Sequence, residues 1–206
     1  MISHNHRCIF VHIPRTGGTS IEDVIWPAER TEKDLWMGFI SKHGNKYQTG
    51  GLQHLLAGQI RQEVGPDVFS SYFKFAVVRN PWDRAVSQFS YTRIRTDLHE
   101  LIGMTADTSF SEYLNMIESR EHVQWQPQSD FVHDTGGAIL VDFVARFEQL
   151  EKDAQTIFSR LRLEGKSLPH TNASARRPYR EYFDASSKRK IERLYGQDIE
   201  AFAYEF

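Results

Sequence analysis

The sequence of 206 residues has one cysteine, Cys8, so no disulfide can form within the chain. A chain this long buries a sizeable core without one. An excess of charge of either sign is missing too. Lys and Arg number 25 against 27 Asp and Glu, a net of −2, which excludes the global basic field that gathers DNA or RNA. Any anion site must therefore be local, and no nucleic-acid partner is expected. Long hydrophobic runs are absent as well. No stretch approaches the roughly 20 apolar residues of a membrane span, and the opening MISHNHRCIFVHIPRTGG lacks the apolar core of a signal peptide. A cytoplasmic protein without a membrane span is the expectation. The nine histidines are scattered, with no H-E-x-x-H and no Cys/His cluster, so no metal is expected. Repeats, low-complexity tracts and linkers are lacking, which predicts one domain over residues 1–206.

What is present alternates. CIFVHI (Cys8–Ile13) is a short apolar, β-branched run that reads as a buried strand. Pro14 to Ser20 is a loop. SIEDVIW (Ser20–Trp26) reads as a short helix with Glu22 and Asp23 in its first turn, where the helix dipole favours them. Residues 27–52 form an irregular excursion. In LQHLLAGQIRQEVG helical spacing puts Leu52, Leu55, Leu56 and Ile60 on one face, and Gly65-Pro66 ends the helix. FKFAVV is a second buried strand. Asn80 is a natural N-cap after it, and Pro81 suits the first helical position, where a missing N–H costs nothing. SFSEYLNMI is a helix capped by Ser109 or Ser111. GAILVDFVARFEQLEKDAQTIFSRL gives a third strand, a turn, and a helix from about Leu150, and the tail is helical to about Ile199. Strands alternating with helices predict an α/β fold: a single domain with a central parallel β-sheet flanked by helices.

Two stretches carry anion chemistry. In FVHIPRTGGTS, Gly17 and Gly18 let the backbone approach a ligand. Thr19 and Ser20 add hydroxyls, Arg15 adds charge, and a helix N-terminus follows. The ATP-binding loop needs G-x-x-x-x-G-K-[ST]. Here its first glycine is replaced by His12 or Ile13, and no lysine precedes Thr19. The plainer alternative is a tight strand-to-helix turn with no ligand. In VVRNPWDRAVSQF, Arg79 stands at the carboxyl end of a strand, the edge where open α/β sheets bind ligands, and Ser87 lies two turns into the next helix. A guanidinium and a hydroxyl can clamp a phosphate together. The alternative is that Arg79 pairs with Asp83, although Arg84 is the better candidate for a purely structural pairing.

Taken together, HIPRTGGTS and VVRNPWDRAVSQF resemble the sulfotransferases that use 3′-phosphoadenosine 5′-phosphosulfate (PAPS). HLLAGQI, PQSDFV, VDFVARFEQLEKD, LPHTNAS and YGQDIEAFAYEF extend the likeness, in order, to the carbohydrate (heparan- and chondroitin-type) branch in a soluble, bacterial-like form. The resemblance implies that PAPS is the co-substrate and that Pro14, Arg15, Thr16, Gly17, Gly18, Thr19 and Ser20 form a P-loop-like site for its phosphosulfate. It implies that Arg79 and Ser87 bind the 3′-phosphate. The basic, hydroxyl-rich segment LPHTNASARRPYREYF, with Asn172, Ser174, Arg176 and Arg177, resembles the segment that closes over the nucleotide. His54 is the implied base, and Arg15 stands where the family usually has a lysine that neutralises the leaving oxygen. His43, Glu22 and Asp23 are further candidates for the base, and His12, inside a strand, reads as a packing residue. His43, Trp125 and Gln128 fall in regions near the acceptor, a small molecule or glycan. Each of these segments also has a plainer reading as a capped helix end, an aromatic anchor or a solvated basic loop.

Two other functions compete. A P-loop nucleotide kinase could use AILVDF as a Walker-B-like strand ending in Asp142, but it needs the missing lysine. A non-catalytic nucleotide- or glycan-binding module would follow if the Arg15 loop had lost turnover.

Overall fold

The computed structural model describes residues 1–28, 31–34, 52–169 and 176–206. The elements in chain order begin with β1 (Ile2–Ser3), β2 (Cys8–Val11), α1 (Gly18–Ile25), α2 (Ala57–Val64), α3 (Pro66–Ser71), β3 (Phe73–Val78) and α4 (Pro81–Thr92). They continue with α5 (Thr96–Ile102), α6 (Phe110–Ile117), α7 (Gln128–Val132), β4 (Phe143–Arg146), α8 (Leu150–Arg160), α9 (Ala185–Leu194) and α10 (Gly196–Ala201). The chain divides into two compact units, Met1–Val78 with Gln128–Ala173, and Arg79–Pro127 with Ser174–Phe206.

The first unit carries a four-stranded, mostly parallel sheet in the order β1-β2-β3-β4, flanked by helices. β1 is antiparallel to β2, while β2, β3 and β4 run parallel, with Phe10 opposite Phe75 and Ala76 opposite Val144. Parallel strands are covered on both faces and so need apolar residues at every position. Cys8 to Val11 and Phe75 to Val78 meet that need, each residue being fully buried. On one face Phe10 stacks on Phe75 with centroids 4.9 Å apart. Ile21 and Ile25 of α1 and Ala154, Ile157 and Phe158 of α8 close over them. Each large apolar side chain buried in this way contributes about 1.5–3 kcal/mol. Burial pushes the Cys8 thiol up to about 12, so it behaves as a small hydrophobe, with no reactive thiolate.

The second unit is helical. Asn80 caps α4 as expected, its Oδ1 accepting from the N–H groups of Trp82 (3.0 Å) and Asp83 (3.2 Å). Ser109, not Ser111, caps α6, in a reciprocal box with Glu112. Rings of Phe89, Phe110, Tyr182 and Phe183 meet edge to face and fill the space over α4.

Several expectations need correction. α1 begins at Gly18, two residues early, so Glu22 is no longer in its first turn. The apolar stretch around Leu55 does not start a helix. Leu52–His54 is a 3-10 turn, and α2 begins at Ala57, with the Leu56 N–H held by Gln59 Oε1 at 2.8 Å. Pro66 opens α3, using the same first-position preference that serves Pro81. Asp142 precedes β4. It is tied to Lys74, near the start of β3, through the Lys74 N–H (2.8 Å) and Nζ (2.9 Å). It therefore lies at the amino edge of the parallel strands, whereas the Pro14–Ser20 loop leaves their carboxyl edge, and a Walker-B role for Asp142 is ruled out.

Candidate active site

The loop after β2 is built by three devices. Thr16 is fully buried, and its hydroxyl donates to the Ile13 carbonyl at 2.9 Å, closing a tight turn, so the proton of that hydroxyl is committed inside the loop. Gly17 has φ 82°, in the left-handed region that favours glycine. A Cβ on it would also come within 2.9 Å of the Phe147 ring and 3.0 Å of Leu150. Gly18 opens α1, and a Cβ there would run into the His12 ring. The two glycines thus seat the loop against β2 on one side and the end of β4 on the other. Beyond them the first N–H groups of α1 have no partner within the helix, which makes this end suited to an oxyanion. Thr19 is exposed, and Arg15, Gly17 and Ser20 are half-buried. Arg15 has φ 67°, a left-handed backbone that is uncommon for a long side chain.

His54 is half-buried, and its Nδ1 lies 2.9 Å from the His12 carbonyl oxygen. A carbonyl only accepts, so Nδ1 carries a proton in this contact, and in the neutral ring the lone pair is then on Nε2. His12 is three residues upstream of Arg15, so the base candidate is bonded to the strand end from which the anion loop departs. The packing role expected for His12 covers only part of what it does. Its ring stacks on Phe10 with centroids 5.1 Å apart, lies 4.6 Å from that of His54, and brings Nδ1 to 2.6 Å from Glu22 Oε1. Glu22 is 1% exposed. It faces His12 inside the fold and cannot meet a substrate as a base.

In the second unit Arg79 is buried, and its Nε and Nη2 reach Asp83 Oδ2 at 2.7 and 2.6 Å. Arg176 bonds the other oxygen, Asp83 Oδ1. One carboxylate thus holds Arg79, expected at the 3′-phosphate, and Arg176, expected in the segment that closes over the nucleotide; the Arg79–Asp83 pairing given as the plainer alternative is present, and the trio keeps a net positive charge. Ser87 is buried one helical turn beyond Asp83. Arg177 is exposed, 3.8 Å from Glu181 and above the Tyr182 ring. Arg84, the better candidate for a purely structural role, is held by the main chain. It is fully buried and donates to the main-chain carbonyls of Gln126 (3.0 Å) and Gln124 (3.3 Å), and desolvation holds its pKa below the usual arginine range.

Trp125 is a core residue, 5% exposed, with Nε1 donating to Tyr113 Oη at 2.8 Å. Gln128 is fully buried at the start of α7. Neither presents a surface to an acceptor. His43, Asn172 and Ser174 lie outside the described residues. The structure therefore brings together Arg15, the two glycines, His12, Glu22 and His54 in one unit, and Arg79, Asp83 and Arg176 in the other. The Arg79–Asp83 pairing was offered in the sequence by its i,i+4 spacing, whereas the His12–Glu22 contact was not, since no periodicity links a strand-end histidine to a helical glutamate ten residues on. Among the described residues no cluster of three or more His, Cys, Asp or Glu could hold a metal, and no helix is long and apolar enough to cross a membrane.

A sequence model described as the sulfotransferase family matches residues 1–205. The chain is also similar, at 25% identity over 125 residues, to an uncharacterized protein of Archaeoglobus fulgidus, the match taking in 61% of this chain and 97% of that one.

Proposed function

The chain belongs to the sulfotransferase family, and on that premise we propose that it transfers a sulfuryl group from PAPS to a hydroxyl of a carbohydrate acceptor. The acceptor oxygen attacks sulfur in line with the bond to the 5′-phosphate. A new S–O bond forms, the bridging S–O bond breaks, and 3′,5′-adenosine bisphosphate leaves. His54 takes the hydroxyl proton at Nε2. Arg15 and the first N–H groups of α1 meet the charge that grows on the leaving phosphate, where donors already in place act most strongly. Pro14 to Ser20 hold the phosphosulfate. Arg79, Ser87, Arg176 and Arg177 take the 3′-phosphate, with Asp83 keeping two of the guanidinium groups in position. Asn172 and Ser174 would join them from the closing segment, and His43, Trp125 and Gln128 belong near the acceptor, the last two as supports behind its surface. No step calls for a metal. The single buried thiol suits a reducing, cytoplasmic setting.

The observation that carries this reading is the hydrogen bond from His54 Nδ1 to the His12 carbonyl. It supports this reading by favouring a proton on Nδ1 of His54 and joining that residue to the strand end that leads into the Pro14–Ser20 loop. The test supplies PAPS with a panel of glycans and follows sulfate ester and adenosine bisphosphate together. Both should appear in equal amounts with the wild-type chain. His54→Ala should lower kcat by roughly 10²–10⁴-fold with nucleotide affinity nearly unchanged. A folded His54→Ala variant with normal turnover would place the base elsewhere.

A further inference from the structure

Buried carboxylates are costly unless paired, and pairing one with a buried histidine seldom yields more stability than an apolar substitute would. Glu22 is nonetheless buried in α1 with its Oε1 2.6 Å from His12 Nδ1. Packing alone does not require this arrangement, since an apolar side chain at position 12 could fill the same space beside Phe10.

His12 differs from such a filler in what it touches. Its ring approaches Gly18 so closely that only a glycine fits there. The same ring lies 4.6 Å from that of His54. Its carbonyl accepts the His54 Nδ1 proton at 2.9 Å. One residue thus bears on the start of α1 through its ring and on the orientation and tautomer of His54 through its main-chain carbonyl, and Glu22 lies in close charged contact with that ring.

We propose that Glu22 and His12 form a positioning pair for the base. Glu22 holds the His12 ring from α1, and His12 holds His54 with its lone pair on Nε2, in register with the loop that ends in Gly17 and Gly18. Neither residue touches the reacting atoms. A shift of α1 that moved the anion loop would move Glu22, and through His12 it would move the base as well. This inference rests on the assignment of His54 as base in sulfuryl transfer.

The experiment uses the full chain with 3′,5′-adenosine bisphosphate as the bound probe for spectroscopy and PAPS for turnover. Glu22→Ala should lower kcat about 10- to 100-fold, taking as a guide the range for losing a partner that orients a metal-bound histidine, while KM for PAPS stays nearly unchanged. Glu22→Gln keeps an oxygen acceptor toward His12 and should recover most of the lost kcat. In NMR spectra of isotope-labelled histidine, His54 should be the Nδ1–H tautomer in the wild type and a mixture of tautomers in Glu22→Ala. The spectroscopic arm needs no turnover. A changed tautomer in a protein that transfers no sulfuryl group would refute the activity and leave the pair standing. A folded Glu22→Ala variant with unchanged kcat and unchanged His54 signals would overturn the pair. If Glu22→Ala does not fold, Glu22→Asp, one methylene shorter in reach, is read in the same way.

Discussion

Arg15 combines an unusual backbone with the one cationic side chain of its loop. Its φ of 67° costs of the order of 1–2 kcal/mol for a residue with a Cβ. The neighbouring Gly17 escapes that cost. A strained arginine between a proline and a buried threonine suits a residue kept for its charge. Arg15→Gly should leave the denaturant midpoint unchanged or raise stability by up to about 1 kcal/mol, since relief of strain outweighs the added freedom of the unfolded chain. The same variant should lose about 10²–10³-fold in kcat, the range for one donor to a developing oxyanion. Arg15→Lys should retain turnover, because it keeps the charge, although it loses the two-pronged donor. A marked loss of stability in Arg15→Gly would show that the arginine is a structural residue.

The two central strands β2 and β3, the cap of α4 and the start of α8 were legible because each rests on a local rule, such as an apolar run or an asparagine and a proline at a helix start; the two-residue β1 and the bounds of β4 were not. The start of α1 was not. It is set by contacts distant in sequence, with Phe147 and Leu150 against Gly17 and the His12 ring against Gly18. The same holds for the site. Arg15, Gly17, Gly18 and Arg79 stood out as residue types at strand ends, while the burial of Trp125 and Gln128 depends on neighbours that no motif displays. Two glycines make the difference measurable. Gly18→Ala drives a methyl into the His12 and Phe10 rings, both held in a stack, and should destabilise the protein by about 1–3 kcal/mol. Gly58→Ala, in α2, meets nothing within 4 Å and should be neutral or stabilising by up to about 1 kcal/mol. Thermal unfolding of the two variants checks the signs. Equal effects would mean that α1 does not seat on His12.

For the whole molecule, a net charge of −2 means that anion affinity cannot come from a diffuse field. It must come from a few placed groups, and these are of two kinds. The loop and first turn of α1 offer backbone donors and Arg15, while Arg79 and Arg176 are two guanidinium groups set by one carboxylate. On the proposed function the first kind takes the 5′-phosphate end and the second the 3′-phosphate, and a 3′,5′-substituted adenosine nucleotide carries both groups whereas ATP lacks the 3′-phosphate. The most direct measurement is calorimetry of 3′,5′-adenosine bisphosphate against AMP and ATP·Mg²⁺ on the wild type and on Arg79→Ala. A charge-assisted clamp contributes about 1.5–3 kcal/mol, so the bisphosphate should bind at least about tenfold more tightly than AMP, ATP·Mg²⁺ should gain no such advantage, and Arg79→Ala should erase most of the gap. Equal affinity of the wild type for the bisphosphate and AMP would contradict the assignment of PAPS as donor.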